Sequence, residues 1–133
     1  MQIKTGYQLI EMMIVISIIS ILAVTALPSY TQHLSRTHRL EAQHALLELA
    51  VKLENYQLQN NSDGGATFAA LNISEFTNGR HYRLSIQTNE VGYLLSAMPQ
   101  GNQRSSDECG TLTLNSVGQK GAGNVTRVRE CWG

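Results

Sequence analysis

Glu11 is a carboxylate near the start of YQLIEMMIVISIISILAVTALP, an almost unbroken apolar run. Inside a bilayer such a group costs roughly 2.5–3.5 kcal/mol on insertion scales unless something neutralises it, so Glu11 needs a positive partner. Cys109 and Cys131 could form a disulfide or ligate a metal. Two thiols without a nearby histidine pair are too few ligands for zinc, which favours the disulfide. His33, His38, His44 and His81 follow no HExxH or comparable ligand spacing. Asp107 and Glu108 alone are too few for calcium. The sequence has no GxSxG elbow, and no glycine loop that cradles phosphate before a helix. Gly118, Gly121 and Gly123 therefore read as turn residues. Lys120, Arg127 and Arg129, set against Glu130, make a slightly positive C-terminal patch that is a candidate surface for DNA or another ligand. The chemistry on offer is electrostatic and oxidative, so neither an enzyme nor a cofactor or metal site is expected.

The elements that must position these residues follow from periodicity. About twenty apolar residues suffice to cross a bilayer as a helix, and residues 7–28 meet that length. A secretory signal core is shorter, about 7–15 residues, and ends at a small-residue cleavage site; a plain signal anchor has the right length. Beyond Pro28 the pattern stays helical, with Leu46, Leu49, Ala50, Leu53 and Tyr56 on one stripe and Glu41, Glu48, Lys52 and Glu54 largely off it. One helix is expected to run to about residue 60 and stop at Asn60-Asn61-Ser62-Asp63-Gly64-Gly65. Pro28 should bend it, since an interior proline removes a backbone donor and clashes with the preceding turn. Three of the histidines fall on this helix just beyond the membrane, where a solvated or interfacial place is expected.

Residues 66–80 show no clear period and are read as irregular. Tyr82, Leu84 and Ile86 alternate with polar residues as a half-buried strand, Thr88 to Gly92 turns, and Tyr93 to Met98 returns. Pro99 and Gly101 stop that strand. Thr111 to Asn115 reads as a third strand, 118–123 as turn-rich, and Val125 to Trp132 as a fourth strand. The fold class is α+β, a long N-terminal helix on an antiparallel sheet of about four strands. The two cysteines lie in the part expected outside the cytoplasm, where oxidation is permitted. A bridge closing their loop would be worth roughly 3 kcal/mol on the chain-entropy model.

With 133 residues, one modest domain remains beyond the apolar run. Formal net charge is zero, and residues 62–133 hold six basic and six acidic side chains. That balance argues against a broad electrostatic footprint for nucleic acid. Asn60, Asn72 and Asn124 begin short, common Asn-x-Ser/Thr patterns that make no case for glycosylation.

The N-terminus, a short basic leader ending in Gly6 and then Tyr7, Leu9, Ile10, Glu11 and Pro28, resembles type IV pilins, whose common form reads GFTLIE where this chain reads GYQLIE. The tail, DECGTLTLNSVGQKGAGNVTRVRECW, looks most like PilE-type minor pilins of Gram-negative bacteria. The resemblance implies a leader of residues 1–6, cut by the prepilin peptidase between Gly6 and Tyr7, with N-methylation of Tyr7. It implies a membrane and filament-core helix over residues 7–28, and a globular domain over 29–133 with a loop closed by Cys109 and Cys131. Glu11, fifth in the mature chain, would pair with the terminal amine of a neighbouring subunit. Such an amine has a reference pKa of about 7.7–8.0 and is largely protonated near neutral pH, and without cleavage it does not exist. The implied partners are other pilin subunits in a helical filament, the peptidase, and the inner-membrane assembly machinery. The implied location is the inner membrane and then the extracellular pilus. A minor pilin is the favoured reading. The alternatives are a major pilin, a DNA- or host-ligand-binding pilin, and a type II secretion pseudopilin. Gln8 replaces a usual threonine. Ser20 stands where many pilins have glycine, which lowers the backbone freedom that would favour melting between Ser20 and Pro28 in a filament.

Overall fold

The computed structural model describes residues 5–62 and 64–133. Residues 1–4 of the expected leader, and Asp63 in the expected helix stop, lie outside the described residues. The long helix α1 spans Thr5–Asn60 with Pro28 inside it. The chain divides into two compact units, residues 1–34 and 35–133.

In the first unit every large apolar side chain from Tyr7 to Leu34 is exposed. By length and composition, α1 is the one helix among the described residues able to cross a membrane, with a mean hydropathy of 2.5 in its most apolar stretch. Ser17 and Ser20 donate their hydroxyls to the carbonyls of Met13 and Ile16, each at 2.7 Å. Back-bonding of this kind satisfies a polar side chain without leaving the helix. Pro28 has no N–H to offer the preceding turn, yet residues on both sides of it are helical.

In the second unit the rest of α1 packs on a four-stranded antiparallel sheet of order β1-β2-β3-β4: β1 Tyr82–Asn89, β2 Gly92–Pro99, β3 Leu112–Asn115, β4 Lys120–Ala122. The helical stripe Ala42, Leu46, Leu49 and Leu53 is buried against Tyr82, Leu84, Leu95 and Leu112. These are the positions where period-3.6 and period-2 patterns both turn apolar faces inward. Cys109 and Cys131 form a disulfide with a Cα–Cα distance of 5.7 Å, and both are buried.

Three expectations need correction. Val125 to Trp132 is not the fourth strand. It is a 3₁₀ turn over Val125–Arg127 followed by the short helix α4, Val128–Trp132. Asn124 starts it, its Oδ1 accepting from the Thr126 N–H at 3.3 Å, while its own N–H donates to the Cys109 carbonyl at 3.3 Å. A local cap and a long-range tie to the backbone of Cys109 thus override the β-branched valines. The fourth strand lies instead within the stretch read as turn, and Gly121 serves it because a Cβ there would press on the Thr113 hydroxyl. Residues 66–80 hold a one-turn helix, α2, Phe68–Leu71, capped by Thr67, whose Oγ1 accepts from Ala70 N–H at 3.1 Å. Gly101 does not only stop β2; it opens α3, Gly101–Ser106.

Candidate functional site

Among the described residues of the first unit, Glu11 is the one carboxylate. It is exposed among exposed neighbours Leu9, Ile10, Met12 and Met13, and among the described residues nothing bonds to it. Gly6 and Tyr7 are adjacent in α1, one turn before it. A carboxylate on an apolar helix that must be covered, by lipid or by protein, can be matched only by a cation brought from elsewhere.

The second unit contains a polar network that sequence spacing did not reveal. Asp107, at the C-terminal end of α3, has a side chain only 1% exposed. Its Oδ1 accepts from Arg39 Nη1 at 2.9 Å and from the Cys109 N–H at 3.0 Å, and its Oδ2 accepts from the Tyr82 hydroxyl. Gln103 donates through Nε2 to the Ser35 carbonyl at 2.9 Å and to the Tyr82 hydroxyl at 3.0 Å. Burial raises the Tyr82 phenol above its ordinary range, and its hydrogen bond to the Asp107 carboxylate adds to the shift. The network joins α1, β1, α3 and the disulfide, and it commits Asp107 to structure rather than to a cation site. His38 departs from a solvated role. Its ring stacks on His81 with centroids 3.5 Å apart, and Nδ1 lies 3.2 Å from Gln103 Oε1. No sequence motif announced these contacts, because each joins residues many positions apart.

The expected C-terminal patch is only partly free. Arg127 donates to Glu130 at 2.7 Å and to Glu108, and these two partners hold its charge in place, Glu130 first. Lys120, on β4, sits with Nζ 5.1 Å from the Trp132 ring centroid, while Arg129 is exposed on α4. Elsewhere Arg80 lies over the Phe76 ring at 4.3 Å. Among the described residues, no cluster of three or more His, Cys, Asp and Glu side chains could hold a metal ion.

Residues 28–113 match the family described as "Type IV minor pilin ComP, DNA uptake sequence receptor". The chain belongs to this minor pilin family. It is also similar to the fimbrial protein EcpC of Eikenella corrodens, 39% identical over 83 residues, which is 60% of this chain and 52% of the relative. The chain thus spans about half the length of that curated relative. A solved type IV pilin from Shewanella oneidensis aligns at 28% identity and a TM-score of 0.46, covering 65% of this chain and 89% of that one.

Proposed function

We propose that the pilin works by being processed, held in the inner membrane, and then built into an extracellular filament. The observation that carries the reading is Glu11, a lone carboxylate on an exposed helix surface that is mostly apolar. The prepilin peptidase removes residues 1–6, residues 7–28 cross the membrane, and residues 29–133 stay outside it. Cleavage between Gly6 and Tyr7, with N-methylation of Tyr7, creates the amine that neutralises Glu11 of a neighbour. An apolar helix of this length leaves lipid only if other subunits bury the same surface, so the filament core replaces the bilayer. A head-to-tail contact that does not close on itself produces a helical filament. The assembly machinery of the inner membrane drives that transfer. Pro28 is the proposed bend.

Processing gives a direct test. Co-expression with the peptidase should yield a chain that begins at Tyr7 by mass spectrometry, and Gly6→Val should leave the leader attached. A chain that still starts at Met1 in assembled pili would rule the scheme out.

A second reading, DNA capture, is supported by the family description. Among the described residues, no carboxylate pairs with Lys120 or Arg129 of the C-terminal patch, and these two are proposed to meet backbone phosphate. Removing one such cation from a phosphate should reduce the slope of log affinity against log salt by about 0.9 on duplex DNA. Lys120→Ala and Arg129→Ala should each weaken duplex binding and flatten that slope, and Arg127→Ala should do so less. Salt titrations by fluorescence anisotropy check this, and unchanged slopes in both variants would exclude the patch.

A further inference from the structure

The outer edge of β1 is covered over only half its length. The Leu84 N–H donates to the Glu75 carbonyl at 2.7 Å, and the Tyr82 carbonyl accepts from the Thr77 N–H at 3.0 Å. Even-numbered residues of β1 therefore turn their backbone groups away from β2, because bonding direction alternates along a strand. Ile86 and Thr88 continue that series. Their partners in the register are Leu95 and Tyr93, and the Tyr93 carbonyl is taken by the Ser116 N–H on the β3 side. Among the described residues, nothing bonds to the N–H or C=O of Ile86 or Thr88.

Two grooves flank this open stretch. One of about 400 Å³ includes Phe68, Arg83, Ser85, Ile86, Met98 and Arg104 in its lining, and the other, of about 470 Å³, runs past Ser62, Gly64 and Thr88. Natural sheets blunt open edges with proline, lysine, bulges or a covering segment. Ser85-Ile86-Gln87-Thr88 has no proline and no charge. The first groove pairs an apolar floor, Phe68 and Met98, with Arg104, which has no ion pair among the described residues, and with Arg83, which shares Glu75.

We infer that the open half of β1 accepts a fifth strand, an extended acidic peptide segment of a partner protein in which carboxylate side chains alternate with apolar ones. The backbone of Ile86 and Thr88 supplies the ladder. Arg104 takes a carboxylate, and Phe68 and Met98 take the apolar side chains. Strand addition of this kind draws affinity from main-chain hydrogen bonds and specificity from alternate side chains. It uses a surface separate from Lys120 and Arg129, so it stands or falls independently of the DNA reading.

The test uses the full chain in detergent micelles with a blocked hexapeptide of alternating glutamate and valine as probe. A lysine–valine peptide and a short DNA duplex serve as comparisons. Amide exchange at Ile86 and Thr88 should slow by about tenfold or more at saturating glutamate–valine peptide, as new ladder bonds form. Thr88→Pro removes an outward N–H and leaves the inward bonds of Gln87 and Asn89 intact, the position where an edge strand tolerates proline. It should abolish binding at an unchanged melting temperature. Arg104→Glu should weaken the acidic peptide by about tenfold and favour the lysine–valine one. Should Thr88→Pro fail to fold, amide protection in the unmodified chain decides alone. Unslowed exchange at Ile86 and Thr88, full binding by a folded Thr88→Pro chain, or protection by the duplex and not the peptide would each overturn the inference.

Discussion

Asp107→Ala should destabilise the second unit by about 3–5 kcal/mol, the range for removing one member of a buried ion pair and stranding the other charge. Asp107 is almost wholly buried and Arg39 is 18% exposed, so the stranded guanidinium would have little water to turn to. The damage extends further, because Asp107 also accepts from the Cys109 N–H and the Tyr82 hydroxyl. Buried donors left without an acceptor cost about 1–3 kcal/mol each. Asp107→Asn keeps the shape and part of the hydrogen bonding and should cost less. Urea unfolding of the purified chain in detergent, with the disulfide intact, measures the difference. A destabilisation below about 1 kcal/mol for Asp107→Ala, the size of an exposed pair, would show that the network does not hold the fold.

Tyr82 adds a pH dependence with a definite sign. Its phenol is raised above the ordinary value by burial and by its bond to Asp107. A raised pKa in the folded state means that the unfolded chain releases this proton first as pH rises. The contribution is therefore complete below about pH 10, the unfolded value, and is lost progressively above it. Tyr82→Phe should make stability flatter from about pH 9 to 11, though lower overall because Gln103 and Asp107 lose a partner.

The sequence made the local features legible. Leu46, Leu49 and Leu53 fall on one helical stripe, and Tyr82 and Leu84 on one strand face, because burial acts through short periods that a reader can count. The cysteine pair was legible from compartment and ligand number, and the structure closes it. What escaped was non-local. Arg39 and Asp107 are 68 positions apart, as are Ser35 and Gln103, and nothing in either segment announces its partner. The same reason explains Val125–Trp132, whose valines suggest a strand while Asn124 and the tie to Cys109 impose a turn and a helix. In the C-terminal patch three cations were visible, but Arg127's engagement by Glu108 required the fold.

The largest effect on function is expected at Glu11. Replacing it with alanine removes the carboxylate and its cost in lipid, so residence in the membrane should be preserved or improved. The attraction between that carboxylate and the amine of an adjoining subunit disappears. In the dry core of a filament, where no water screens the pair, such an attraction is stronger than at a surface. An assembly role and a simple anchoring role thus make opposite statements about one variant: the first loses filament incorporation while keeping membrane accumulation, and the second loses neither. The deciding measurement is the amount of Glu11→Ala chain in sheared pili relative to the amount in the membrane fraction, compared with the unmodified chain. A fall in the pilus fraction of tenfold or more, about 1.4 kcal/mol or above in the partition, with the membrane fraction maintained, is the predicted result; equal incorporation of the two chains would contradict the assembly mechanism.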